Sequence, residues 1–158
     1  MSPLLVALLL TQTAAAWFMT GLIWFVQIVH YPLMDGVGQP GWTGYERRHM
    51  GLTTRVVAPA MLIEATSCGL LLAVLLAIGP ETQQWVWSPI IHALLLALLA
   101  TAWGSTWALQ VPAHNILTRS FCPRAHRRLC ASNWIRTGVW SARALLLTAM
   151  LAALILKA

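Results

Sequence analysis

Four side chains in this sequence could hold a metal ion or pass a proton at a single place: His30, Glu46, His49 and His114. Imidazole and carboxylate are ligands for iron, copper and zinc, and they are also the usual acids and bases near neutral pH. Glu46 and His49 form a Glu-x-x-His step, which sets both on one face of a helix. Di-iron carboxylate bundles use that step twice and add further carboxylates. This chain has one copy and only four acidic residues. The expectation is therefore one transition metal ion (iron, copper or zinc) or, without metal, imidazoles and a carboxylate that hydrogen-bond and pair with nearby arginines.

A second group lies deeper. Glu64, Arg136 and Arg143 fall inside apolar runs, where an ionised side chain is costly unless paired, so a Glu64 to Arg143 ion pair is expected. Arg136 is one heptad before Arg143 and shares its face. Such a group can tie helices together, relay protons or anchor an anionic substrate, and all three are taken here as candidate catalytic residues. Gln27, Tyr31, Tyr45, Trp107, Gln110 and Asn133 are the candidate substrate-binding side chains around it. Cys122, His126 and Cys130 are spaced by four; on a helix the outer two stand about 12 Å apart, too far to share an ion. His92 is expected near the opposite face, alone. There is no phosphate-binding loop, nucleophile elbow, dinucleotide fingerprint or haem-attachment motif.

The elements that must position these groups are membrane helices. Of the 158 residues 59% are hydrophobic and 9% charged, and the mean hydropathy is +0.72. Four apolar stretches, at about 4–29, 56–78, 85–109 and 133–156, can each cross a hydrocarbon core of about 30 Å. The fold class expected is an all-α integral membrane four-helix bundle forming a single domain over 1–158. The first stretch reads as a retained helix, since it has no basic start and runs on through Trp17 and Trp24. Segments 30–55 and 110–132 carry Arg47, Arg48, Arg55, Arg119, Arg124, Arg127 and Arg128, whereas the other face has Glu81 and Lys157. By the positive-inside rule those segments are cytoplasmic, with both termini outside, in a bacterial-type inner (plasma) membrane. The charge of +6 is thereby accounted for, and no nucleic-acid partner is expected. The three cysteines read as free thiols, and Gly79–Gln84 as a short turn.

The chain also resembles itself. Trp24, Gln27 and His30 close the first span, and Trp107, Gln110 and His114 the third. Each set precedes an Arg pair and a further Arg, which suggests a parallel duplication of a helix-loop-helix unit, with chance likeness between apolar helices as the alternative. On that duplication the glutamines and histidines of the two halves would face each other at one depth. Thr13, Trp17, Thr20, Trp24, Gln27 and Tyr31 recur at helical steps, as do Trp103, Trp107, Gln110 and His114, so one polar and aromatic stripe per helix is expected to face inward. The alternative reading of Gln27 and Gln110 is interhelical glue.

Trp107-Ala108-Leu109-Gln110-Val111-Pro112-Ala113-His114-Asn115, followed by Asn133-Trp134-Ile135-Arg136-Thr137 and Trp140-Ser141-Ala142-Arg143, resembles the second half of small four-helix membrane proteins grouped with the anthrone oxygenases. The resemblance covers mainly the C-terminal half. It implies the four-helix architecture and oxidation of an aromatic or lipophilic molecule without a separate cofactor domain. The functional expectation is a small membrane oxidoreductase whose apolar substrate enters from the bilayer and meets the His/Glu site, metal-dependent or not. Two alternatives stand beside it: a transport or conduction protein, and an accessory subunit docking a membrane complex or a second copy of itself.

Overall fold

In lipid no water pairs with the backbone, so a spanning chain must satisfy its amides within each segment. The structure, a computed structural model, describes residues 3–78 and 85–156, and every long element among them is helical. Helix α1 (Pro3–Phe25) passes through a π-helical turn (Val26–His30) into α2 (Tyr31–Leu33) and a 3-10 turn (Met34–Gly36). Helix α3 (Gln39–Ile78) follows, then a 3-10 turn (Trp85–Trp87) and α4 (Pro89–Ser105). A second π-helical turn (Thr106–Gln110) leads to α5 (Val111–Leu117), and α6 (Pro123–Ile155) completes the described chain. Four helical stretches are long and apolar enough to cross a membrane: Pro3–Gly36, Gln39–Ala77, Pro89–Leu117 and Pro123–Ile155. The protein is an all-α four-helix bundle of the multi-pass membrane type.

The helices outrun the apolar stretches that announce them. Segment 30–55 is mostly the beginning of α3, and 110–132 holds α5 and the start of α6. Hydropathy marks only what must sit in hydrocarbon; the flanking Glu, Arg, Met and Leu residues are good helix formers in their own right. At 40 residues α3 is about 60 Å long, twice the hydrocarbon thickness. Its first turns therefore carry Tyr45, Glu46 and His49 beyond the apolar run. Gly38, the one positive-φ residue among those described (φ 45°), makes the bend before α3, and Pro40 and Pro123 stand in first turns where no N–H is needed. The expected turn at Gly79–Gln84, with Glu81, lies outside the described residues, as does Lys157.

Each π-helical turn stands at the same place relative to a proline, from six residues to two residues before Pro32 and Pro112. Proline lacks the N–H and crowds the carbonyl four residues back, and a wider turn absorbs both. The four long helices pack in the cyclic order α1, α3, α4, α6, the order that a two-fold axis along the bundle would preserve. The proline register, however, matches Gln27 to Trp107 and His30 to Gln110, three residues away from the register of the Trp and Gln types. Gln27 and Gln110 do not face each other. Instead both reach α6, where Gln27 Nε2 donates to the Cys130 carbonyl at 3.2 Å and Gln110 Nε2 to Ser132 Oγ at 2.9 Å. The expected aromatic stripe also divides: Thr13, Thr20, Gln27 and Tyr31 are buried, while Trp17 and Trp24 turn their rings outward and give their N–H groups to Thr148 and Ser141.

One end of the bundle is closed by Leu9, Leu71, Leu95, Leu99, Leu147 and Met150. Near its middle, Glu64 and Arg143 are fully buried and paired, with Arg143 Nε donating to Glu64 Oε1 at 2.8 Å. Trp140 Nε1 donates to the other carboxylate oxygen at 2.9 Å, and Arg143 Nη1 donates to the Leu95 carbonyl. Three helices, α3, α4 and α6, meet in this knot. Removing one partner strands the other charge in an apolar interior, so Glu64→Leu should cost about 3–5 kcal/mol, whereas Glu64→Leu with Arg143→Met should recover most of it. Thermal unfolding of the detergent-solubilised protein measures both.

Candidate functional site

A cavity of about 410 Å³ lies at the other end, among α1, α3, the second π turn and α6. Most of its wall is apolar, with Met19, Ile23, Val57, Met61 and Trp103 prominent, and its polar groups gather toward the arginine-rich end of the bundle: Tyr31, His49, Thr106, Gln110, His114 and Arg136. Leu62 and Trp107 also line it, yet are 54% and 79% exposed. The cavity therefore opens sideways between α3 and the second π turn, toward where lipid lies. Apolar walls with a cluster of titratable groups at one end are the usual form of a small-molecule site.

The polar groups form a directed chain. Arg136 Nη2 donates to Tyr31 Oη at 3.4 Å, and Tyr31 Oη lies 3.3 Å from His114 Nε2. A guanidinium can only donate, so the acceptor for the tyrosine's own proton is His114 Nε2. His114 then carries its proton on Nδ1, 2.5 Å from Glu46 Oε1. Glu46 is fully buried and fixes the tautomer of the imidazole, as the acid does in hydrolase triads. The parts come from far apart in sequence: Tyr31 from α2 just past the first π turn, Glu46 from the overhanging start of α3, His114 from α5, Arg136 from α6. Tyr31 lies four residues after Gln27 and shares its inward face, just past the first π turn.

Arg136 is the electrostatic centre. It is 7% exposed, and its partners are all neutral: Nε and Nη2 donate to Asn133 Oδ1 at 3.0 and 2.6 Å, Nη1 to Thr106 Oγ1 at 3.2 Å, and Nη2 to Tyr31. The ion pairs among the described residues do not include it. Four of its five N–H groups are engaged, leaving one on Nη1. A buried cation with no carboxylate beside it, at the polar end of an apolar cavity, favours an anionic or strongly dipolar oxygen in that cavity.

The sequence candidates divide accordingly. Tyr31, Trp107, Gln110, His49, His114 and Arg136 line the cavity. Asn133 and Gln27 do not; Asn133 Nδ2 donates to Gln27 Oε1 at 2.8 Å, and the pair braces Arg136 from behind. Tyr45 stacks on His49 with rings 8° apart in plane. His30 closes on His49, Nε2 to Nδ1 at 3.0 Å, and a smaller cleft of about 220 Å³ between α1 and α3 lies beside them. Glu64 and Arg143 line neither cavity. Their role is in the knot described above.

The four expected metal ligands are brought to one end, but as two pairs: His30 with His49, and Glu46 with His114. Both nitrogens of His114 are already engaged. Among the described residues no three of the His, Cys, Asp and Glu side chains converge on a metal position. The donor set as placed does not fit an ion. His92 is fully buried, its Nε2 donating to the Val86 carbonyl at 3.0 Å. Thr106, Ser132 and Ser105, which set Arg136 and Gln110, escaped sequence reading because small hydroxyls in apolar helices carry no spacing signal; Ser105 Oγ donates to Gln110 Oε1 at 3.2 Å. Comparisons with protein-family models, with curated proteins and with solved structures match nothing.

The tautomer is directly observable. In ¹⁵N-histidine spectra, His114 should carry hydrogen on Nδ1 and none on Nε2, and Glu46→Gln should disturb that assignment without unfolding the bundle; a proton found on Nε2 in the unmodified protein would reverse the direction of the chain.

Proposed function

We propose that this protein is a small integral membrane oxidoreductase acting on a lipophilic, aromatic molecule that bears an acidic or enolisable oxygen function. The observation that carries this reading is the unneutralised Arg136 at the polar end of an apolar cavity open to the side of the bundle. The resemblance of the C-terminal half to the anthrone oxygenases points the same way. The seven arginines at that end are all exposed, which suits a cytoplasmic face with both termini outside.

The chemistry needs a base that a lipid-dissolved molecule can reach. His114, backed by Glu46, draws the proton from Tyr31, and Arg136 favours the phenolate so formed. That phenolate takes a proton from an activated substrate methylene. The electron pair left on carbon spreads onto the substrate oxygen, which the free Arg136 N–H and Gln110 hold. Dioxygen, itself apolar and soluble in the bilayer, accepts those electrons at carbon to give a hydroperoxide, and loss of water leaves a ketone. The balance is one CH₂ group and one O₂ in, one C=O group and one H₂O out. Conduction finds no comparable support, since the leucine-packed half closes the bundle beyond Glu64 and Arg143.

Anthrone, added to the protein in detergent or vesicles, is the first probe, with oxygen uptake and mass spectrometry as the readout. The expected product has gained one oxygen and lost two hydrogens. His114→Asn should lower turnover by about 10²–10⁴-fold, and Ala58→Phe, which fills the cavity from α3, should do the same while leaving thermal stability near that of the parent. No oxygen uptake with anthrone or with a membrane lipid extract would overturn the oxidoreductase reading.

A further inference from the structure

His126 lies outside the cavity and outside the proton chain, yet it is 4% exposed and both of its ring nitrogens are committed. Nε2 is 2.8 Å from the backbone carbonyl of Tyr31, and Nδ1 is 3.0 Å from Asp35 Oδ1. A backbone carbonyl and a carboxylate are both acceptors. The carbonyl takes the proton of Nε2, and the Asp35 carboxylate 3.0 Å from Nδ1 favours a second proton on that nitrogen and hence the imidazolium.

We propose that His126, held as an imidazolium between Tyr31 and Asp35, is a positioning residue that sets the Tyr31 phenol against His114 and Arg136. The segment it grips is short and irregular. After the first π turn the chain has three residues of α2, a single 3-10 turn and the positive-φ Gly38 before α3 begins. Its local ties include Tyr31 N–H to the Val26 carbonyl, Met34 N–H to the Tyr31 carbonyl and Val37 N–H to the Met34 carbonyl at 3.2 Å. His126 adds a clamp from α6, one arm on Tyr31 itself and one on Asp35 in the 3-10 turn. Because α6 also carries Arg136, ten residues on, a single rigid helix holds both the backbone and the hydroxyl of Tyr31. The other groups against the ring are Cys130, with Sγ 3.5 Å from Nε2, and Phe121, with its ring centroid 5.7 Å away. Asp35 is the charged group facing it from the turn, and its side chain is 64% exposed.

This inference rests on the reading of Tyr31 as a working group of the site, but its test does not use turnover. In ¹⁵N-histidine spectra of the full chain in detergent at pH 7, His126 should show hydrogen on both nitrogens. Asp35→Asn should remove one of them. His126→Gln should shift the His114 Nε2 resonance, because the Tyr31 hydroxyl moves off it, and His126→Arg, a donor toward both acceptors, should restore that resonance toward its original position. A singly protonated His126 in the unmodified protein, or a His114 Nε2 resonance unmoved by His126→Gln, would overturn the proposal. Should His126→Gln fail to fold, the protonation of the unmodified protein and of Asp35→Asn still decides it. Failure of anthrone oxidation leaves these spectra as they are, so the two readings fail separately.

Discussion

A hydrocarbon surrounding offers a polar side chain no partner, and that constraint governs this structure more than any single contact. A large polar side chain placed inside is costly unless it meets a complement, and where that complement stands on another helix the pair becomes a fastener between helices. Glu64 with Arg143 and Trp140 fastens α3 to α6, and through the Leu95 carbonyl brings in α4. Gln27 and Asn133 fasten the first π turn to α6, with Arg136 held against Asn133. Arg136 is the exception that gives the bundle a chemical character: it is held by neutral oxygens alone, so its charge acts on whatever shares the cavity.

The two prolines convert helices into frames for a site. An uninterrupted helix presents its faces at a fixed 3.6-residue period, and the next inward position after Gln27 would be set by that period alone. The π turn before Pro32 inserts a residue into the ladder and leaves Tyr31, just past it, in the interior. The turn before Pro112 does likewise for Ala113 and His114. Wide turns are frequent at functional sites because they redirect side chains while every backbone group keeps a partner.

Much of this was legible beforehand, and for physical reasons. The four crossings follow from run length and hydropathy, and the Glu64 to Arg143 pair follows from the cost of a lone charge at depth. The gathering of His30, Glu46, His49 and His114 at one end was readable from their common distance along the spans. Their pairing was not, because it depends on where the π turns fall and on α3 continuing as helix to Gln39, neither of which hydropathy encodes. For the same reason the two halves show two registers three residues apart: side-chain types suggest one, while the π turns follow the prolines in the other. His126 looked like the middle of an ineffective cysteine cluster. Its partners, a carbonyl and an aspartate 91 residues earlier in the chain, leave no trace in local spacing.

The sideways mouth between Leu62 and Trp107 changes what concentration means for this protein. A molecule arriving through it comes from a two-dimensional solvent, so occupancy follows its mole fraction among lipids and detergent, not its amount per volume of water. Diluting the bilayer with inert lipid would empty the cavity at constant total ligand, and the water solubility of a ligand would matter only through its partitioning. For a substrate of the proposed kind, selection would begin in the membrane, before any residue of the bundle is touched.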